Sequence, residues 1–287
     1  MDYDLLLEGC GEVARQLLRC GAEIQRVEDT ARRILAAYGL EGEVFAIPNC
    51  VWVSASAPDG RRHTVMLRVP ASSVDIEGIE QYNALSRRLC AAPPDDPGDV
   101  LRQCRRVRAD LRRYPIPVCL LGYFVGAFFF ALFFSGGWAE AAAAGLAGLA
   151  CGGCLTALDR AGINSFIATL ASAFVLGAVC CGLSALGAPI SLEVTMAGGS
   201  MVLVPGLVFT NFMTDLLAGD IVAGLATLAR AVLSAGAIAL GAWASRSLFR
   251  EAVPAQAGAV VAYGPAVCCA FAFLGCLGFC APPRPGR

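Results

Sequence analysis

The sequence predicts a mainly α-helical integral membrane protein with five to six transmembrane helices and an N-terminal cytoplasmic α+β domain. First, 57% of the 287 residues are hydrophobic and the mean hydropathy is +0.63, well above an ordinary soluble domain. Second, charge is unevenly spread: residues 1–115 hold 16 Arg and 17 acidic residues, and the rest of the chain only six of each. Third, the charge-poor part divides into apolar runs of about 20 residues, the length a helix needs to cross a bilayer. These boundaries give a cytoplasmic domain over 1–115, a membrane domain over 116–250, and a possible sixth helix within 251–287.

The N-terminal domain opens with two runs of helical periodicity, about Asp4–Arg19 and Glu23–Tyr38, with Gly21 and Gly39 where C-terminal caps are expected. Glu43–Ala57 and Arg62–Val69 are rich in Val, Ile, Trp and Thr and are joined by Pro58-Asp59-Gly60, which predicts a hairpin. An amphipathic helix over Ile76–Cys90 precedes the proline-rich linker AAPPDDPGD, and an Arg-rich helix over Val100–Tyr114 leads to the membrane. The start of the chain lacks a basic segment followed by an apolar core, so no signal peptide is expected.

Six spans follow, at about Ile116–Phe134, Ala139–Leu158, Phe166–Leu186, Leu192–Phe212, Ile221–Ala244 and Ala259–Cys280. Arg102, Arg105, Arg106, Arg108, Arg112 and Arg113 flank the first span and place the N-terminal domain in the cytoplasm by the positive-inside rule. Counting onward puts Arg246 and Arg250 outside, against that rule. Small residues such as Gly145, Ala147, Gly148, Gly152 and Gly153 in the second span allow close helix contact.

Several chemistries are excluded or unsupported. No Lys occurs, so Schiff-base and P-loop chemistry are ruled out. A net charge of −1 gives no reason to expect nucleic-acid binding. Most of the 14 Cys lie in apolar segments, where Cys acts as a small hydrophobe, and the Cys151/Cys154 pair has no companion to complete a zinc site. Neither a metal nor a cofactor is expected, and a lone His63 is weak evidence for catalysis. The chain does not read as an enzyme.

The stretch TMAGGSMVLVPGLVFTNFMTDLLAGDIVAGLATLAR, residues 195–230, carries the functional signal. Ionisable groups at membrane depth are costly and usually face a water-filled path or a protein partner. Pro205 and Gly206 interrupt a helix and would free backbone carbonyls, while Thr210 and Asn211 offer uncharged hydrogen bonds. Asp215 has apolar neighbours that would raise its pKa, as a proton-coupled step requires. Asp220 directly precedes the fifth span and could be a simple N-cap. Arg230 would lie about 15 Å further along, with Asp215 or Glu193 as counter-charge. It could form a structural ion pair or hold a substrate carboxylate. In GAEIQRVEDT, the residues Gly21, Glu23, Arg26, Glu28 and Asp29 form either a solvated charged face or a docking surface.

Those two motifs, together with Arg230, resemble the bacterial threonine/serine exporter family over about residues 5–250. The resemblance implies a cytoplasmic N-terminal domain followed by about five membrane helices, residing in the bacterial inner membrane. It also implies export of small metabolites, threonine and serine for some members and dicarboxylates such as succinate for others, and a second, smaller membrane subunit. Phe271–Arg287 looks like the first helix of that second module. A homo-oligomer is possible. Two other classes compete: an intramembrane aspartyl protease, disfavoured because LAGD lacks a G-x-G-D form, and a membrane-anchored sensor or scaffold acting through its cytoplasmic domain.

Overall fold

The computed structural model describes residues 1–70, 74–111, 114–251 and 261–279. Arg112, Arg113, Cys280 and the remainder of the tail lie outside these residues. The chain forms two compact units. Residues Met1–Arg112 and Gly206–Ala231 make the first, and Arg113–Pro205 with Val232–Arg287 the second.

In the first unit, helix α1 (Tyr3–Arg19) starts at Asp2, whose carboxylate accepts the Leu5 N–H at 3.1 Å. Leu6, Cys10, Val13, Ala14 and Leu17 recur at three- and four-residue spacing and are completely buried. The helix ends in a Schellman motif: Gly21 takes φ +86°, its N–H donates to Leu18 O at 3.1 Å, and Ala22 N–H donates to Leu17 O at 3.1 Å. Helix α2 (Ile24–Ala37) follows at once and buries Ile24, Val27, Ala31, Ile34 and Leu35.

Next comes an antiparallel sheet in the order β1-β2-β3, comprising β1 (Gly42–Ile47), β2 (Cys50–Ser56) and β3 (Arg62–Arg68). The expected single strand over Glu43–Ala57 is thus a hairpin of its own, turning at Pro48-Asn49. Fifteen residues exceed an ordinary strand, and a Pro-Asn pair supplies a missing N–H and a turn former. Register aligns Val44 with Val53 and Val53 with Val65, on the face turned toward the core. Helices α3 (Ile76–Ala91) and α4 (Gly98–Asp110) add Tyr82, Leu85, Leu89, Val100 and Cys104 to this core. Helix α9 (Gly206–Leu217) and the beginning of α10 (Ile221–Leu248) complete the unit, Ala223 joining the same core.

The second unit contains α5 (Ile116–Phe133), α6 (Trp138–Arg160), α7 (Ser165–Ala185), α8 (Leu192–Ser200), the later part of α10, and α11 (Pro265–Gly278). Its closest approaches occur at glycines. A Cβ on Gly148 would meet Ala127 Cβ at 2.5 Å, and one on Gly198 would meet the Ala131 backbone at 2.6 Å. Glu140 is buried near the start of α6, where its carboxylate accepts the N–H of Gly137 at 3.0 Å and of Ser191 at 3.1 Å. A buried carboxylate is tolerated when backbone donors surround it in this way.

Among the described residues four helices are long and apolar enough to cross a membrane: α5, α6, α7 and α10. The predicted fourth span, Leu192–Phe212, is interrupted: α8 ends at Ser200 and α9 begins at Gly206. Pro205 cannot donate to a helix ladder, and Gly198 and Gly199 weaken the turn before it. The predicted sixth span appears as the 14-residue α11; Ala259, Val260 and Cys280 of that run lie outside the described residues.

Candidate substrate cleft

The first unit contains a polar cleft whose construction begins at the end of α1. The left-handed Gly21 exposes its carbonyl oxygen, which accepts a hydrogen bond from Asn211 Nδ2 at 2.8 Å. Immediately beyond it, α2 starts with N–H groups that have no partner in their own helix. Glu23 stands at the N-cap position without capping through its side chain. Asp215 supplies the missing acceptor from α9: its Oδ1 receives the Ile24 N–H at 3.3 Å. A carboxylate there also meets the positive end of the α2 dipole.

Asp215 is 2% exposed and is the buried residue of α9. Burial is the main influence on its carboxyl and raises its pKa above the ordinary value of 3.8; the Ile24 N–H opposes this, while nearby Asp220 and Glu23 reinforce it. Beside it the cleft is lined by Gly21, Ala22, Leu207, Asn211, Thr227 and Arg230, among others. Its volume is about 80 Å³, several times the roughly 10–15 Å³ one water requires. The lining therefore offers a carboxylate, a guanidinium, an amide and a hydroxyl group.

Of the residues singled out in the sequence, the cleft brings together Gly21, Asn211, Asp215 and Arg230. Glu193, considered as a partner for Arg230, is exposed on α8 in the second unit. Asp220 is half-buried and outside the lining; its N–H donates to Asp215 O at 2.9 Å as the chain turns into α10. Thr210 is exposed and donates its hydroxyl to Gly206 O at 3.2 Å. Pro205 and Gly206 mark the helix break and do not line the cleft.

The charged residues of α2 divide in two. Glu28 is buried, accepting the Ala46 N–H on the open edge of β1 at 2.9 Å and the Arg32 guanidinium at 2.6 Å, so it fastens helix to sheet. Glu23, Arg26 and Asp29 remain on the outer side. The sequence reading missed Thr227, which is buried and lies one helical turn before Arg230 on α10. Spacing of three on an apolar helix was the signal that could have found it. It also missed the backbone partners, Ile24 N–H and Gly21 C=O, which no side-chain motif announces. Among the described residues no group of His, Cys, Asp or Glu could hold a metal ion.

Span-length apolar helices among the described residues define a helical membrane protein. The comparison with protein families is more specific. A family model described as "Putative threonine/serine exporter" (ThrE) matches residues 8–249, and the chain belongs to that family. It is accordingly a transmembrane protein of a transport family, as the motif resemblance implied. No curated protein and no solved structure gives a match.

Proposed function

We propose that the protein exports small zwitterionic amino acids of the threonine and serine type, accepting them at the cleft around Asp215. The observation that carries this reading is the hydrogen bond from Ile24 N–H to the buried Asp215 carboxylate, in a cleft also lined by Arg230. A carboxylate and a guanidinium suit the ammonium and carboxylate of one amino acid. Asn211 and Thr227 suit a side-chain hydroxyl. A dicarboxylate would face repulsion from Asp215 unless that group were protonated, which makes it the second choice of cargo.

Asp215 would also provide the coupling. Ionised, it caps α2 and attracts an ammonium group; protonated, it loses most of both interactions. Proton uptake would then release cargo and loosen the start of α2 together. Asp220 and the helix break at Pro205 and Gly206 would accommodate the movement, with Thr210 facing the path. In this reading the N-terminal domain and the end of α9 share the cytoplasmic side of a bacterial inner membrane, and a second, smaller membrane subunit of the same family completes the pathway.

The test is efflux of radiolabelled threonine, serine and succinate from cells or proteoliposomes containing the protein with its companion subunit. Asp215→Asn at equal expression should reduce proton-driven efflux about tenfold or more, the range of a lost charge-assisted contact. Unchanged efflux of all three would remove Asp215 from the mechanism. Preferential loss of succinate efflux would reverse the cargo assignment.

A further inference from the structure

The other side of α2 forms a polar groove with α3, of about 440 Å³. Arg26, Thr30 and Arg33 come from successive turns of α2, and Asn83, Ser86 and Arg87 from one face of α3. Two acidic residues also border it, and both have cation partners: Asp29 meets Arg32 at 3.1 Å and Glu23 meets Arg26 at 3.9 Å. Arg33 and Arg87 are exposed and have no ion pair among the described residues. Thr30 and Ser86 are each 7% exposed, and their hydroxyls make no hydrogen bond among the described residues. The groove thus has donors in its floor and two uncompensated guanidinium groups on its walls.

We propose that this groove binds a small dianionic oxyanion of the phosphate or dicarboxylate class, at a site separate from the Asp215 cleft. Guanidinium groups from two helices can each give paired N–H bonds to such an anion, and the hydroxyl and amide groups satisfy its remaining oxygens. A neutral ligand would leave both arginines uncompensated. A singly charged one would leave one of them so.

Isothermal titration of the full-length protein in neutral-detergent micelles, with inorganic phosphate and with succinate at constant ionic strength, tests this. Saturable binding of at least one is expected, weakened about tenfold or more in the Arg33→Gln, Arg87→Gln double variant, as loss of charge-assisted bonds implies. Arg68→Gln, on an exposed strand position, should leave it unchanged. The proposal is overturned if neither anion binds above the chloride background, or if the double variant binds as the parent does. Binding of phosphatidylglycerol nanodiscs through Arg33 and Arg87 without binding of either free anion would overturn it in favour of a membrane-surface contact.

Discussion

In the first unit many of the fully buried side chains are large, Leu6, Leu17, Ile34, Tyr82 and Leu85 among them, and they meet across a sheet and four helices. In the second, the buried positions of α6 are, besides Glu140 and Thr156, all small: Ala141, Ala143, Ala144, Gly145, Ala147, Gly148, Cys151 and Gly152, and helices meet backbone to backbone. The contrast follows the solvent each is built for. In water, apolar area removed from solvent stabilises at about 25 cal/mol per Å², so large side chains serve best. In hydrocarbon that driving force vanishes between helices, and close contact through small residues takes its place. The same substitution chemistry should therefore have opposite consequences in the two units.

The largest effect is expected where a side chain is added to the second unit. Gly198→Val places a Cβ about 2.6 Å from Ala131 Cα and N, backbone atoms that cannot swing aside. Overpacking costs typically about 1–3 kcal/mol where side chains can give way, and occasionally more; here only a shift of a whole helix relieves the clash, which puts the cost beyond that range. We expect loss of monodisperse protein in size-exclusion chromatography after detergent extraction. A well-behaved Gly198→Val protein would show that α5 and α8 do not approach as described.

The reverse substitution tests the first unit. Leu17→Ala removes a completely buried side chain from between α1 and its neighbours, at about 2–5 kcal/mol for the lost transfer and the cavity left behind. Chemical denaturation followed by the fluorescence of Trp52 on β2 should show the shift. A cost below about 1 kcal/mol would mean that this core is loosely packed.

These two experiments address features that differed in how readily the sequence revealed them. Apolar periodicity of α1 and α2, the turn at Pro58-Asp59-Gly60 and the span-length runs are local signals, and the corresponding helices and strands are present. The helix break near Pro205 was legible as chemistry, although its consequence, two short helices in place of one span, depends on how many backbone bonds the surroundings restore. Asp215 stood out as a carboxylate among apolar neighbours. Its partner could not be read, because Ile24 lies 191 residues away and contributes only its backbone N–H. Glu28 shows the opposite limit: its place in a charged motif suggested a solvated face or a docking surface, and the tertiary fold turned it into the link to β1.

The smallest effect, and the one that ties the cleft to the stability of the first unit, concerns pH. Burial raises the folded pKa of Asp215 above the 3.8 of an ordinary Asp. Below that ordinary value both folded and unfolded chains are protonated at this position, and the stabilisation is complete. Between the ordinary and the raised value the folded protein keeps a proton that the unfolded chain has released, so stability falls as pH rises, at up to about 1.4 kcal/mol per pH unit. Above the raised value both states are ionised and the contribution is lost. Asp215→Asn can still accept the Ile24 N–H but cannot titrate. Wild-type stability, measured by denaturation at a series of pH values, should decline relative to the variant across that window and run parallel to it above. Parallel curves throughout would mean that Asp215 is ionised at the usual carboxylate pH despite its burial, and a proton could then not be its signal for releasing cargo.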